Sequence, residues 1–315
     1  MKNKQVNKIK LIYLMGMGRS GGTIMGRIVG QGESAFYVGE LRYLWQRGVV
    51  DDSQCGCGAS FSRCEIWSKV VRSCRATMGE SLEKAIPIFE SLNRTRAFPR
   101  IFFAKMFNIK NDKIDKYLDF ESTLYQNLVG FTNKTTLVES SRYPGRAILL
   151  SMLENVEVYV VHLVRDSRGV VYSQLKEMER NGRHAPKYPF LRAYHWVAVN
   201  FLSSISKIVL GKGRYMFVRY EDFVEAPSDV IDSIFSFTAE SLDATKSITN
   251  KTIELQSSHA FSGNRNRFDI GSVVIQRDLS WINGLSNITR RFITIFTYVP
   301  LKLYGYKISQ KKIAS

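Results

Sequence analysis

The chain has 315 residues, with 45 lysines and arginines against 28 aspartates and glutamates, a formal charge of +17. Its apolar fraction of 44% suffices for a substantial core, and no apolar run approaches the roughly 18–20 residues that would cross a bilayer. The charge favours anionic partners, whether nucleotides, acidic glycans, nucleic acid or a membrane surface, without choosing among them.

The first ten residues, MKNKQVNKIK, superficially resemble the start of a signal peptide. The apolar stretch that follows is too short and lacks a small-residue cleavage site, so it reads as a basic leader and a first strand. That reading places the chain in the cytoplasm with its cysteines reduced. Leu11 to Met15 is the strand, Gly16 to Thr23 a glycine-rich loop, and Ile24, Ile28 and Val29 mark one side of a following helix. Strand, glycine loop and helix together form a phosphate cradle, because glycines turn backbone N–H groups inward and the helix start adds unpaired donors. Gly16, Gly21 and Thr23 match the nucleotide-hydrolase pattern, but Gly22 stands where that pattern has lysine. A bound anion is then clamped by Arg19, Ser20, Thr23 and backbone amides; an accidental glycine-rich turn is the alternative.

Val38 to Trp45 reads as a loop leading into a short helix, with Glu40 at its start. Asp51 to Trp67 is turn-rich and holds Cys55, Cys57 and Cys64, with Cys74 beyond. C-x-C with a third cysteine seven residues on is not a standard zinc spacing, so ordinary packing is weighed above a metal. Residues from about 76 to 130 read as a helical insertion that covers a cleft. Thr135 to Val138, Val156 to Val164 and Arg214 to Val218 are further strands, the second nearly continuous in apolar residues as a central parallel strand should be. Leu191 to Ile208 is a helix carrying His195, and the basic, aromatic tail reads as a packed final helix, with membrane-surface association as a second reading. Each strand ends in polar or charged residues, the place where open parallel sheets bind ligands. The expectation is one α/β domain over 1–315, a three-layer P-loop-like fold whose central, mainly parallel sheet is flanked by helices.

Three segments together resemble the sulfotransferases that use 3′-phosphoadenosine 5′-phosphosulfate (PAPS), nearest to bacterial and carbohydrate-type members. Gly18-Arg19-Ser20-Gly21-Gly22-Thr23 is similar to the family's 5′-phosphosulfate loop, with Gly22 replacing a hydroxyl residue. His162 to Ser173 is similar to its 3′-phosphate segment, where Arg165 and Ser173 have the family's spacing and Ser167 replaces a proline. Gly263-Asn264 with Arg265 and Arg267 is similar to a late loop near the same phosphate. The resemblance implies sulfuryl transfer from PAPS to an acceptor hydroxyl, on a saccharide or glycolipid, with no metal required and no nucleic acid as partner. It implies Glu40 as general base, with His195 as runner-up and Glu139 a third candidate, and Arg19 stabilising charge at the reacting sulfur. Competing readings are a P-loop small-molecule kinase, which Gly22 argues against, and a non-enzymatic anion or nucleic-acid binder.

Overall fold

The computed structural model describes residues 8–79, 81–182, 188–240, 248–249 and 251–308. Most of the basic leader and the last residues of the tail lie outside them. Five parallel strands form the central sheet: β1 (Ile9–Met15), β2 (Ala35–Gly39), β3 (Thr136–Arg142), β4 (Val156–Val164) and β5 (Tyr215–Arg219), in the order β2-β3-β1-β4-β5. Along β1 the side chains alternate between two cores. Leu11, Tyr13 and Met15 join one hydrophobic cluster, while Ile12 and Leu14 join another on the opposite face. That two-sided burial is why β1 and β4 read as near-continuous apolar runs.

Helix α1 (Gly22–Val29) packs on the second face with α10 (Pro227–Thr238). The first face is covered by α2 (Glu65–Met78), α3 (Ser81–Leu92), α4 (Phe98–Met106), α5 (Asp112–Thr132) and α6 (Pro144–Leu150). Most of the described residues between 76 and 130 are helical, and α5 sends Tyr117, Phe120 and Leu124 into the same core as β1. Helices α7 (Ser167–Arg180) and α8 (Tyr188–Leu210) follow β4, and the short α9 (Tyr220–Glu225) follows β5.

Three elements depart from the sequence reading. Ala35–Gly39 is the edge strand β2, which takes in the start of the expected Val38 loop and is too short to show a clear period of two. Glu139 to Arg142 lies within β3 instead of beyond it, because its polar groups find buried partners; Ser140 Oγ, for example, bonds the Tyr37 hydroxyl at 2.7 Å. A small antiparallel sheet, β6 (Ile248–Thr249), β7 (Thr252–Leu255) and β8 (Gly271–Val274), was not anticipated from strands of two to four residues. The tail forms α11 (Trp281–Gly284), α12 (Asn287–Phe296) and α13 (Tyr298–Leu303); Ile293 and Leu301 are buried while Ile288, Ile295 and Leu303 are exposed. No helix among the described residues is long and apolar enough to cross a membrane.

Register shifts between Tyr13 and Met15 on β1 and between Tyr37 and Gly39 on β2 both fall at the carboxyl edge of the sheet. Bulges of this kind re-aim the residues that follow them. Here they bring the loop after β1, the turn after β2 and the end of β3 around one hollow.

Candidate active site

The loop between β1 and α1 holds Arg19 at φ 76° and Gly21 at φ 90°. Left-handed residues within a tight turn point successive N–H groups to one side, which makes a concavity for an anion. Helix α1 begins there with no side chain bonded to its first amides and no acidic residue in its first turn, so its positive end is open toward the hollow. A side chain built on Gly22 would meet no atom within 4 Å, leaving free the space that lysine fills in nucleotide hydrolases. The Ser20 hydroxyl is buried and has no hydrogen-bond partner among the described residues. An oxyanion seated on the loop would satisfy it, so the residues present fit a phosphosulfate group.

The hollow is a cavity of ≈ 400 Å³ into which Arg19, Arg47, Arg142 and Arg165 converge, with Glu40, Glu177 and Asp278 among them. Arg19 ties two distant segments together. Its Nε donates to Ser173 Oγ at 2.9 Å, and its carbonyl accepts from Arg165 Nη1 at 3.1 Å. Burial pushes the Arg19 guanidinium below its ordinary pKa; Glu177 opposes that shift and the neighbouring Arg165 and Arg142 add to it. Crowded, partly desolvated cations of this kind gain most from an anionic ligand.

Arg165 might have been spent on its neighbour Asp166, the plain reading of an Arg-Asp pair. Asp166 is held instead by Arg168, at 2.6 Å in a buried pair that also caps α7. Arg165 lines the cavity, its guanidinium carbon 4.7 Å from the centre of the Tyr220 ring and its Nη2 paired with the half-exposed Asp278 at 3.1 Å.

The sulfotransferase family model matches residues 12–243. The chain belongs to the sulfotransferase family. No curated protein matches it significantly. Among solved structures it is similar to a sulfotransferase domain from the curacin biosynthetic pathway, at 16% identity over 95% of this chain and 98% of that one, TM-score 0.48. It is similar to a sulfotransferase from Alicyclobacillus acidocaldarius, at 11% identity over 94% and 96%, TM-score 0.45. It is also similar to retinol dehydratase in complex with androsterone and inactive cofactor PAP, at 14% identity over 96% and 83%, TM-score 0.34.

Most of the expected site residues of this sulfotransferase meet at the cavity: Arg19, Gly21, Gly22, Thr23, Glu40, Arg165 and Ser173 all line it. Gly18 and Ser20 lie just behind; Gly18 closes against the Arg142 guanidinium, and its carbonyl accepts from Gln174 Nε2 at 3.3 Å. Arg265, Arg267, His195 and Glu139 do not line the cavity. Arg265 is exposed, and Arg267 folds back on its own loop, donating to the Gly263 carbonyl at 3.1 Å and lying over Phe268. That loop lines the cavity with Gly263, Asn264 and Asn266 instead, tied by the Asn264 amide to Thr23 Oγ1 at 3.3 Å. His195 is exposed on α8 beside Tyr194 and takes no part in the cavity, because the helix turns Trp196 rather than His195 inward. Glu139 is sealed in the core with Arg146 and does not reach the cleft.

Arg47, Arg142, Tyr220 and Asp278 were not singled out for the site. Arg142 and Tyr220 carried a signal, since both stand at the ends of parallel strands. Arg47 sits on a widened helical turn, Leu44–Val50, closed by an Asp51 amide bonded five residues back to the Gln46 carbonyl at 2.8 Å. Such turns aim a side chain in a direction no regular helix would.

Proposed function

We propose that this sulfotransferase moves a sulfuryl group from PAPS to a hydroxyl of a saccharide or glycolipid acceptor by in-line transfer. The observation that carries the donor is Arg165, turned into the cavity rather than onto Asp166, which Arg168 holds, and joined through Arg19 to Ser173. When bound, the donor supplies an activated sulfuryl group with a stabilised bisphosphate leaving group. Arg165 and Ser173 hold the 3′-phosphate end, while the loop amides and Ser20 hold the 5′ end. Arg19 and Thr23 face the charge that spreads onto equatorial and bridging oxygens as the bond breaks.

Glu40 is the general base. It is 2% exposed yet lines the cavity, and Arg142 Nη2 fixes its Oε2 at 2.5 Å. Its other oxygen lies toward Gly263, 3.6 Å from where a side chain there would begin, available for an acceptor proton. The acceptor class rests on the resemblance to carbohydrate-type members and on the +17 charge, which suits an anionic glycan. A second cavity of ≈ 280 Å³ begins beside Glu40, at Leu41 to Gln46, and is walled by Phe89, Phe120 and Leu124. It supports the helices of 76–130 as the cover on the acceptor side.

Calorimetric binding of adenosine 3′,5′-bisphosphate without magnesium, against ATP with magnesium, tests the donor assignment. Metal-independent bisphosphate binding, weakened roughly 10–100-fold by Arg165→Ala, is expected for a lost pair of charge-assisted bonds. Preference for ATP with magnesium, indifferent to Arg165, would return the site to a kinase. Transfer of labelled sulfate to a panel of saccharides, glycolipids and small phenols then decides the acceptor.

A further inference from the structure

Away from the cavity, the cysteines left without a role in the sequence gather around a histidine that lies 195 residues further along. Cys55 and Cys57 sit on the loop before α2, Cys64 stands at the start of that helix, and His259 arrives from the segment after β7. Their four ligand atoms all lie within 4.8 Å of one another. Cys64 Sγ is 3.6 Å from Cys55 Sγ, 3.8 Å from Cys57 Sγ and 3.2 Å from His259 Nδ1. A tetrahedral zinc with bonds of about 2.3 Å to sulfur and about 2.0–2.1 Å to nitrogen has S–S edges of about 3.8 Å and S–N edges of about 3.6 Å. The two sulfur–sulfur separations match such edges, the Cys64–His259 one is shorter by about 0.4 Å, and all are far from the roughly 2.05 Å of a disulfide.

We infer that Cys55, Cys57, Cys64 and His259 form a structural zinc site. Three thiols and one imidazole complete a closed, four-ligand set that leaves no position for substrate. On binding, each cysteine releases its proton and the neutral imidazole offers Nδ1, so one Zn²⁺ displaces three protons. Cys64 stands where the first amides of the 14-residue α2 are unpaired, and these donors stabilise a thiolate. The cluster is roofed by rings: Phe61 stacks on Trp67, and Phe261 meets both edge-on at 5.0 Å.

Two neighbouring hydrogen bonds to backbone carbonyls join the two segments. Trp67 Nε1 donates to the His259 carbonyl at 2.6 Å, and the Gly56 amide to the Ala260 carbonyl at 3.0 Å. Gly56 must lack a side chain, since a Cβ there would come within 2.6 Å of the Ser258 carbonyl oxygen. Four residues beyond His259 the same segment delivers Gly263 and Asn264 to the donor cavity. The ion is thus a clip that holds the late loop against the body of the domain; it takes no part in the transfer itself.

The test is the metal content of the purified full chain, by elemental mass spectrometry and by mercurial release into a chromogenic chelator. About one zinc per chain is expected in the wild type, falling several-fold in Cys57→Ser and Cys64→Ser and retained in Cys74→Ser and His259→Cys. Cobalt replacement should give a tetrahedral spectrum whose thiolate charge-transfer intensity drops by about a third in Cys57→Ser, as one of three sulfurs is removed. Cys57 is at the exposed edge, so that variant keeps the test open if Cys64→Ser does not fold. A wild type that takes up no zinc after reduction and incubation with the metal, or an intact mass showing a disulfide among these cysteines, would overturn the site. So would equal metal content in wild type and Cys57→Ser.

Discussion

Two arginine–glutamate pairs lie within a few residues of each other on β3 and its exit, and they do opposite work. Arg146 is 1% exposed and bonds Glu139 at 2.6 Å, both oxygens of Glu121 and the Tyr117 hydroxyl, while Tyr125 donates to Glu139. Every polar atom there is satisfied, and Glu139 lines neither cavity, so the network holds the helices to the sheet; Arg146 and Glu121 form part of the wall of the second cavity. Arg142, four residues earlier, is 31% exposed in its side chain and has a single carboxylate partner, Glu40. That pair faces open volume. Equal burial of the two glutamates therefore hides a difference in function: one is closed on all sides, the other keeps a free oxygen beside a site for ligand.

The largest effect should come from breaking the closed network. Arg146→Ala leaves two carboxylates uncompensated in the core and should cost about 3–5 kcal/mol of unfolding free energy in a urea titration. Affinity for adenosine 3′,5′-bisphosphate per folded molecule should be unchanged, because Arg146 does not line the donor cavity; a fully stable variant that had lost that affinity would exchange the roles assigned to the two pairs. Glu40→Gln tests the other half. It should lower kcat by about 10²–10⁴-fold while calorimetry shows bisphosphate affinity within a few-fold of wild type, and full turnover would move the base elsewhere.

A smaller effect sharpens the same contrast through pH. His162 on β4 is buried between the Tyr215 hydroxyl, 2.6 Å from Nδ1, and Asn200 Oδ1, 3.1 Å from Nε2. Burial lowers its pKa from the usual 6.5 to about 4. The unfolded chain therefore takes up the proton first, and stability should fall as pH drops from 6.5 toward 4, then level off, by up to about 3 kcal/mol. His162→Gln should flatten that limb in thermal unfolding scans taken across the range. The smallest effect belongs to His195→Asn, which should change stability by less than about 0.5 kcal/mol and leave turnover intact. A tenfold loss of kcat there would contradict Glu40 as the base.

What could be read in advance followed from local patterns. The glycine loop between Met15 and Gly22 declares itself by spacing, and β4 by its apolar run, because both depend on residues adjacent in the chain. Where Arg265 and Arg267 point was not legible in the same way: the resemblance suggested their loop, but it is the turn Arg265–Phe268 that leaves one exposed and bonds the other to the Gly263 carbonyl. Edge strand β2 and the small sheet were missed because strands of two to five residues carry too little periodicity to register.

The order of residues alone carried the family, through motifs spread over residues 12–243, and the strand–loop–helix cradle, which is written in adjacent residues. Only the tertiary structure decided which carboxylate faces the cavity, that Asp166 is occupied by Arg168, and that His259 completes the cysteine cluster. Those outcomes depend on which groups the fold brings together across about 200 residues of chain, and burial then makes each such choice costly to reverse.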